Sequence, residues 1–287
     1  MEPQTLSSSI VQNFIPTRKS TSRKGDNGIV LVVGGSYIYH GAPVLSSLAA
    51  LRCGTDLVYT CVPKINVTPT RAISPNLIVI PLVDQKLTLG AVKKLVGALP
   101  RNLHSATIGM GLAIQEKNSL LHLVKSLLDR DVRLSLDASA LIPEILPILA
   151  HKNVVVTPHA GEFKRLFGDV PSDSNLERIK LVEENALKHG ITILLKGPTD
   201  IISDGKITYL CEKNTPAMTV GGTGDVLSGL VAGLLSTNRN TLESAAAASY
   251  ICGLAGKEVQ EKLGLHITSM DLIDSIPSVM KPFDKII

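Results

Sequence analysis

The chain has 287 residues, of which 44% are hydrophobic and 19% charged, so it can bury a substantial core and is neither disordered nor fibrous. Aromatic residues make up 3% and tryptophan is absent, which argues against a site built on stacking of bases or sugars. The net charge of +4 is too diffuse for nucleic acid and is compatible with an anionic small-molecule substrate.

The first 23 residues are predicted as a lead-in to the first strand, with the basic run 18–24 solvated or, alternatively, forming an organelle transit signal. They lack the apolar segment of a signal peptide, and no stretch of the chain reaches the roughly 18 to 20 apolar residues of a membrane span. The cysteines are far apart in apolar surroundings, which predicts buried, reduced thiols at Cys53, Cys61, Cys211 and Cys252. We therefore expect a cytoplasmic protein without membrane or nucleic-acid partners.

Short apolar runs alternate with helical patterns along the chain. The runs predicted as strands are residues 29–33, 57–62, 77–80, 106–108, 132–136, 154–156 and 191–195. The predicted helices are residues 42–53, 89–99, 118–128, 176–189, 225–235 and 243–263. Strands that are apolar throughout are buried on both faces, and the alternation predicts a doubly wound, mostly parallel sheet flanked by helices. We assign residues 24–287 to this single α/β domain.

One segment, residues 200–210, interrupts the alternation. Two short alternating runs flank Asp204-Gly205, the dipeptide typical of a two-residue type I′ turn. The pattern predicts a small antiparallel hairpin at the edge of the sheet.

A glycine-rich turn runs straight into the predicted helix that begins at residue 225. Its residues Gly221, Gly222, Thr223 and Gly224 leave backbone N–H groups accessible, and the helix adds the positive end of its dipole. The turn therefore predicts an anion site suited to a phosphate. Asp225 would either cap the helix or take a proton from a hydroxyl that attacks a phosphoryl group.

Polar residues follow three other predicted strands at their carboxyl ends, where such sheets bind ligands. Asp137 leaves an apolar strand and would either meet a ligand or cap a helix. His159 would donate to a ligand and Glu162 would reach a metal, directly or through water, unless Thr157 and Glu162 merely begin a helix. Lys196, followed by Gly197, suits a nucleotide phosphate, although a solvated turn gives the same pattern.

Glycines mark two more loops at the same edge. Gly34 and Gly35 follow the first predicted strand, and Gly109 and Gly111 follow the fourth. They would let a ligand approach the backbone, or they would only permit close packing of helix against strand. Taken together, the loops predict sites for a nucleotide and a second substrate.

Several motifs occur in the order typical of one family. They are Lys24-Gly25-Asp26-Asn27-Gly28, Gly34-Gly35-Ser36, Gly41-Ala42-Pro43-Val44-Leu45, Leu136-Asp137-Ala138, Thr157-Pro158-His159-Ala160-Gly161-Glu162-Phe163, Leu195-Lys196-Gly197 and Gly221-Gly222-Thr223-Gly224-Asp225-Val226-Leu227. Together they resemble the ADP/ATP-dependent NAD(P)H-hydrate dehydratases, a branch of the ribokinase-like superfamily, over residues 24–272. The Gly-Thr-Gly-Asp motif alone would indicate only the superfamily.

The resemblance implies a ribokinase-like fold and a metabolite-repair lyase. Such an enzyme converts (S)-NADHX and (S)-NADPHX, the hydrated forms of the reduced nicotinamide nucleotides, back to NADH and NADPH. ADP or ATP phosphorylates the hydrate hydroxyl, and phosphate then leaves as the ring double bond is restored. Mg²⁺ is implied as the cofactor.

The resemblance also implies roles for particular residues. Asp225 would be the catalytic base and contact the hydrate, beside an anion hole of Gly221, Gly222, Thr223 and Gly224. The nucleotide would be held by Lys196, Gly197, Pro198, Thr199, Asp200 and Gly224, and the hydrate by Ala42, Gly111, Asp137, His159 and Asp225. The metal ligands are not specified, beyond Glu162 acting through water.

The chain departs from the family pattern at Met110, Ser139 and Asn76, where the family has proline, a second aspartate and glutamate. These differences put contacts on the substrate side in doubt. Many members carry an N-terminal epimerase, for which residues 1–23 are too short, so a separate epimerase protein is expected as a partner. A homo-oligomer, a tetramer by resemblance, is also expected, with the predicted helix 243–263 as a candidate interface through its small residues 245–248.

Two other functions use the same glycine turn. A hydroxyethylthiazole or other vitamin-precursor kinase of this superfamily would differ by a small alcohol pocket in place of an open groove for a dinucleotide. A nucleotide-binding sensor without turnover would be indicated by the loss of Asp225 or Lys196, and both residues are present.

Overall fold

The computed structural model describes residues 2–172, 174–213 and 215–287, which form a ten-stranded sheet with helices on both faces. The strands are β1 (Gln4–Thr5), β2 (Ile29–Val33), β3 (Leu57–Pro63), β4 (Ile78–Leu82), β5 (Ser105–Ile108), β6 (Arg133–Leu136), β7 (Val154–Val156), β8 (Thr192–Leu195), β9 (Thr199–Ser203) and β10 (Thr208–Glu212). The α-helices are α1 (Ser8–Phe14), α2 (Ala42–Arg52), α3 (Val67–Ile73), α4 (Leu89–Ala98), α5 (Lys117–Leu128), α6 (Leu146–Leu149), α7 (Ala160–Phe167), α8 (Asn175–His189), α9 (Thr223–Thr237), α10 (Thr241–Leu263) and α11 (Ser269–Met280).

The strand order is β1-β10-β9-β8-β7-β6-β5-β2-β3-β4. Every neighbouring pair is parallel except those of β9, which runs antiparallel to both β8 and β10. The chain moves outward from β2 in one direction to β4 and in the other to β8, which is the doubly wound arrangement. The predicted fold class is confirmed, and the carboxyl ends of the parallel strands meet at one edge.

Alternate residues of the central strands enter two buried clusters on opposite faces of the sheet. In β7, Val154 and Val156 pack in the cluster that contains Leu123 of α5, whereas Val155 packs in the cluster that contains Leu230 of α9. Because both faces are covered, neither set of side chains meets water. The predicted strands are therefore continuous apolar runs rather than alternating ones.

The hairpin of β9 and β10 is present, but its turn differs from the prediction. Ser203 pairs with Thr208, so the loop has four residues rather than two. Gly205 has a φ of +85°, whereas Asp204 does not have the positive φ that a type I′ turn requires. Instead, the Asp204 carboxylate accepts hydrogen bonds from the N–H groups of Lys206 and Ile207, both at 2.8 Å. The predicted turn type is wrong because this side chain organises the loop.

The N-terminal segment contributes to the domain. Gln4 and Thr5 pair with β10 and cover the outer side of the hairpin. Val11 and Phe14 of α1 are buried in the same apolar cluster as α9 and α10. These residues therefore pack on the sheet before the chain reaches the first predicted strand.

Helix α10 is packed inside the protomer. The four alanines at residues 245–248 are fully buried in the apolar cluster of α9 and α11. They are not available to a second copy, so the predicted oligomer interface is wrong at these positions, and assembly as a tetramer stays a prediction. The cysteines are free, three of them buried and Cys53 half-buried. Within the described ranges, no helix is both long and apolar enough to cross a membrane.

Candidate active site

The glycine turn forms the start of α9. Gly222 has a φ of +94° and precedes the first helical residue, Thr223, so Asp225 is the third residue of the helix. Among the described residues no acceptor is recorded for the backbone N–H groups of residues 221–225. The Thr223 hydroxyl donates to the carbonyl of Met218 at 3.0 Å, and this hydrogen bond stabilises the turn. The arrangement leaves unpaired donors at the positive end of a 15-residue helix, as an anion hole requires.

Gly222 is held by close packing, and its neighbour Gly221 is not. A Cβ at Gly222 would lie 2.6 Å from Ser269 Oγ and 2.7 Å from Leu45 Cδ1, on a backbone that disfavours side chains, whereas Gly221 has no such neighbour within 4 Å. We expect Gly222→Ala to lower the free energy of unfolding by about 1–3 kcal/mol and Gly221→Ala to leave it within about 0.5 kcal/mol. Urea denaturation checks both variants. Equal stabilities would contradict the assignment of Gly222 as the constrained residue.

Lys196 lies between two carboxylates beside this turn. Its Nζ is 2.9 Å from Asp137 Oδ1 and 3.6 Å from Glu162 Oε2. The Asp137 side chain is 3% exposed and that of Lys196 18%. Burial alone lowers the pKa of Lys196, but the two carboxylates outweigh burial and raise it. The ammonium group is therefore charged and lies near Gly224, since a Cβ there would be 3.6 Å from Nζ.

The electrostatic surroundings of Asp225 suit a general base. Its pKa is raised to about 7, first by burial and then by the carboxylates of Asp137 and Glu162, while Lys196 acts in the opposite direction. A carboxyl group with this pKa exchanges a proton near neutral pH. The interpretation of Asp225 as a base therefore gains a physical basis beyond its position in the turn.

The raised pKa has a consequence for stability. The unfolded chain releases the Asp225 proton near pH 4 and the folded chain near pH 7, so ionisation destabilises the fold as the pH rises between these values. We expect Asp225→Asn to be more stable than wild type at pH 8 by on the order of 2–4 kcal/mol, and this difference to shrink towards pH 4. Urea titrations at pH 4, 6 and 8 measure it, with Asp129→Asn, at an exposed position, as the surface control. A difference independent of pH would contradict the assigned pKa.

His159 caps helix α7. Its Nδ1 accepts from the N–H groups of Gly161 at 3.0 Å and Glu162 at 3.3 Å, and Glu162 Oε2 accepts from the His159 N–H at 2.9 Å. Glu162 thus lies in the first turn of a helix, as the alternative had it, but the residue that caps this helix is His159 and not Thr157. This role does not exclude a ligand, because the His159 side chain is 60% exposed and its Nε2 carries the proton.

A cavity of about 670 Å³ opens beside the anion hole. Predicted nucleotide residues Lys196, Gly197, Pro198 and Gly224 line it. Thr223, predicted in the anion hole, also lines it, and the remaining walls were not predicted: they are Lys213, Thr215, Pro216, Met218, Thr219 and Leu227. These residues follow the hairpin and carry no pattern of their own. The largely apolar walls and the size of the cavity suit the base and ribose of a nucleotide.

Asp200 does not face this cavity. It is fully buried, and its oxygens accept from the Gly197 N–H at 3.0 Å and the Ser249 hydroxyl at 2.7 Å and pair with Lys213 Nζ at 2.6 Å. Its carboxylate thus shapes the loop and holds Lys213 at the cavity wall, rather than contacting a nucleotide as predicted. Thr199 is not among the residues that line the cavity either.

We expect Asp200→Ala to lower the free energy of unfolding by about 3–5 kcal/mol, because Lys213 would be left buried without a counter-charge. The exposed Glu212→Ala on the same hairpin should change it by less than about 0.5 kcal/mol. Thermal and urea denaturation of both variants test this expectation. Full stability of Asp200→Ala combined with lost nucleotide binding would restore the predicted direct contact.

The predicted substrate residues Ala42 and Gly111 lie at the start of α2 and in the loop after β5. Gly111 has a φ of +60°, and a Cβ there would lie 2.6 Å from Tyr39 Cβ and 3.3 Å from Ala42 Cβ. One turn along α2 from Ala42, the Ser46 hydroxyl donates to the Asp225 carbonyl at 2.7 Å. Ala42 and Gly111 therefore lie together on the helix face that also contacts Asp225.

The departure at Met110 does not alter this surface. Its side chain is fully buried, with Sδ 3.5 Å from the hydroxyls of Thr107 and Ser228. Its carbonyl accepts from the Gly35 N–H at 2.8 Å, and a Cβ on Gly34 would lie 2.5 Å from that oxygen. A larger residue at position 110 is thus accommodated in the core, and the two glycines allow the loops to approach closely.

Two arginines support the site without having been predicted. Arg165 donates from Nη2 to the carbonyl of Ala138 at 2.6 Å, and Ala138 has a φ of +49°, a strained value for a non-glycine residue. Arg178 lies beside Gly197, where a Cβ would be 2.7 Å from Nη2. Both contacts join residues far apart in the chain, so sequence patterns carry no signal for them.

The carboxylates of Asp137 and Glu162 suit a metal ion that takes most of its ligands from the phosphates of a substrate. Among the described residues no group of three or more His, Cys, Asp or Glu side chains is arranged to hold a metal ion. Asp137 is paired with Lys196, Glu162 Oε2 accepts in the helix cap, and Glu162 Oε1 lies 3.6 Å from His159 Nε2. Mg²⁺ usually takes one or two carboxylates, waters and substrate phosphates. The residues present are compatible with that kind of site.

Comparison with known proteins identifies relatives over the full chain. A family model described as NAD(P)H-hydrate dehydratase matches residues 30–278. The chain is 79% identical over 286 residues to an ADP-dependent (S)-NAD(P)H-hydrate dehydratase of Nitrosopumilus maritimus, with all of both chains covered. It is 65% identical to a protein of the same description from Cenarchaeum symbiosum, with 96% of each chain covered.

A solved structure with this fold contains a nucleotide. The ADP/ATP-dependent NAD(P)H-hydrate dehydratase of Bacillus subtilis, co-crystallised with ATP and Mg²⁺, superposes with a TM-score of 0.85 at 26% identity. The match covers 99% of this chain and all of the other.

Proposed function

The chain belongs to the NAD(P)H-hydrate dehydratase family, and we propose that it uses ADP to convert (S)-NADHX and (S)-NADPHX to NADH and NADPH. The observation that carries this proposal is the row of unpaired N–H groups at the start of α9, which lies between the nucleotide cavity and the Ala42–Gly111 side. Asp225, with its pKa near 7, is located at this junction. Nucleotide chemistry and a second substrate therefore meet at one base.

The anion hole would stabilise the phosphoryl group during its transfer. A nucleotide in the cavity would direct its terminal phosphate towards Gly221 and Gly224, with Lys196 balancing the charge. Mg²⁺ bound to the phosphates, with Glu162 contacting it through water, would screen the remaining charge. The chain itself supplies positioning and fixed donors, which are the main requirements of phosphoryl transfer.

Asp225 would accept the proton of the hydrate hydroxyl as its oxygen attacks the terminal phosphorus. The bond between this phosphorus and the oxygen that bridges the two phosphates of ADP breaks, and AMP is the leaving group. Phosphorylation turns a poor leaving group into a good one, and the ring nitrogen supplies the electron pair that expels phosphate. Loss of a proton from the adjacent carbon then restores the ring double bond.

The enzyme would act on the (S) epimer alone and in the cytoplasm. The (R) epimer would need a separate epimerase protein, and the buried thiols suit a reducing, cytoplasmic environment. Hydrated NADH that contains both epimers should therefore be consumed only to the extent of its (S) fraction. Addition of an epimerase should carry the reaction to completion.

The test follows absorbance at 340 nm while the protein is mixed with hydrated NADH, Mg²⁺ and either ADP or ATP. A rise with ADP that is absent without nucleotide supports the proposal, and a larger rise with ATP would correct the donor. Absence of a rise with either nucleotide from folded protein would overturn it. The same protein would then be assayed with hydroxyethylthiazole and other small alcohols for the alternative kinase activity.

A further inference from the structure

A second cavity, of about 550 Å³, lies at the amino ends of the strands, at the opposite edge of the sheet from the candidate active site. His104 and Arg133, which line it, come just before β5 and at the start of β6. The last turn of α9 and the segment after α11 close the other side. Helix α9 begins at the anion hole and ends here, and 15 helical residues span about 22 Å, so the two sites are separate.

The walls of this cavity are strongly basic. Six cationic side chains line it against two acidic ones, Asp26 and Asp284. The cations are Arg18, Arg52, Arg133, Arg239, Lys281 and Lys285. Several of them already have partners, because Arg52 pairs with Asp274 at 3.5 Å and Arg18 and Lys285 donate to backbone carbonyls. In the part of the chain that the structure describes, Arg239 and Lys281 have no ion-pair or hydrogen-bond partner.

Arg133 is the buried member of the group. It is 8% exposed, and its Nε donates to the His104 carbonyl at 3.2 Å. Neither Nη atom has a recorded acceptor, and no carboxylate lies within 4.0 Å, among the described residues. Burial, followed by the nearby charge of Arg239, lowers the pKa of Arg133, and Asp131 acts in the opposite direction without cancelling them. A buried guanidinium beside a like charge is costly unless an anion completes the site.

His104 adds a neutral donor. Its Nδ1 accepts from the Ile29 N–H at 3.0 Å, which places the ring proton on Nε2. Burial, together with Arg133 and Arg239, lowers the pKa of His104 and keeps the ring neutral. Together the three residues therefore offer hydrogen-bond donors without a matching acceptor.

We propose that this cavity binds a small phosphorylated metabolite. The phosphate would be held by Arg133, Arg239 and the His104 Nε2–H, because guanidinium groups match phosphate oxygens in charge and geometry. The volume exceeds what a bare phosphate fills and lies in the range of small-molecule sites. The apolar side chains of Leu234 and Met280 line the remainder and would contact the organic part.

Ribose 5-phosphate is the probe, with inorganic phosphate and ribose as comparisons, measured by isothermal titration calorimetry. We expect Arg133→Gln and Arg239→Gln each to weaken ribose 5-phosphate binding about tenfold or more, as loss of a charged hydrogen bond requires. Lys206→Gln, which removes a cation elsewhere on the surface, should not weaken it. Lys196→Gln should not weaken it either, which separates this site from the active site and from the proposed function.

The outcomes are distinct. Tighter binding of ribose 5-phosphate than of inorganic phosphate, lost in the arginine variants, supports the proposal. Equal affinity for ribose 5-phosphate and inorganic phosphate would overturn the proposal that the ligand is a phosphorylated metabolite, and would indicate a site for free phosphate. Absence of binding up to about 10 mM, or binding unchanged in Arg239→Gln, would overturn the site itself. Arg239 is exposed, so this variant is expected to fold even if Arg133→Gln does not.

Discussion

Substitution of Asp225 by Asn is expected to reduce nucleotide-dependent recovery of NADH by about 10²–10⁴-fold, the range that a general base contributes. The amide is nearly the same size as the carboxyl group, so the anion hole and the Ser46 contact to the backbone carbonyl of residue 225 should be kept. What is lost is the only acceptor proposed for the hydroxyl proton. Absorbance at 340 nm with saturating ADP measures the loss.

The pH dependence of the wild type makes this prediction more specific. Only ionised Asp225 accepts a proton, and its pKa is about 7, so activity should fall as the pH drops below 7. The residual activity of Asp225→Asn should lack this acidic limb. Asp204→Asn, in the hairpin loop, should match wild type in both respects. Activity of Asp225→Asn within threefold of wild type, with nucleotide binding intact, would remove Asp225 from the base role.

The sequence identified most of the site because parallel sheets impose a simple rule. Loops that follow successive parallel strands emerge at one edge, so residues distant in the chain meet there. The ammonium group of Lys196, which follows β8, lies within 3.6 Å of two such residues, Asp137 after β6 and Glu162 after β7. The strands could be predicted because they are apolar runs. The polar residues just after their carboxyl ends could then be predicted as site residues.

Asp200 shows where that rule stops. It follows Lys196 by four residues, and the family resemblance assigned both residues to the nucleotide. Its carboxylate instead turns into the core, where Lys213 and Ser249 satisfy it. The direction of a side chain depends on partners that are brought close only by folding, and neither spacing nor composition encodes those partners.

The contributions of the N-terminal segment and the basic cavity were missed for a related reason. Strand β1 has two residues and no apolar alternation, and it exists because β10 offers an unpaired edge. Arg133 is the second residue of the predicted strand 132–136, and the sequence gives no separate indication of a role for it. Its burial beside Arg239 arises only when the amino ends of β5 and β6 are closed by the segment after α11.

The candidate active site contains one cation among three carboxylates, and this balance sets the pKa of the base. Asp137 and Glu162 raise the pKa of Asp225, and Lys196 lowers it. The same lysine is charged because those two carboxylates surround it. We therefore propose two functions for Lys196, contacting the nucleotide and keeping Asp225 ionisable near neutral pH, and the two can be separated experimentally.

Lys196→Gln is expected to lower activity by about 10²–10³-fold and to move the acidic limb of the pH profile above 7. The loss of rate reflects the missing charge near the anion hole, and the shift reflects the missing attraction for ionised Asp225. Asp137→Asn should shift the limb in the opposite direction, below 7, because a like charge is removed. Rates of NADH recovery measured from pH 5.5 to about 9 give the position of the acidic limb in each of the two variants.

Opposite shifts are the decisive part of this prediction, since a variant that is merely damaged loses rate without moving its pKa. Lys206→Gln serves as the control for loss of a surface cation and should leave both rate and limb unchanged. If both Lys196→Gln and Asp137→Asn moved the limb in the same direction, the limb would not report Asp225. If neither moved it, the charges around the base would be too well screened to tune it, and Lys196 would act on the nucleotide alone.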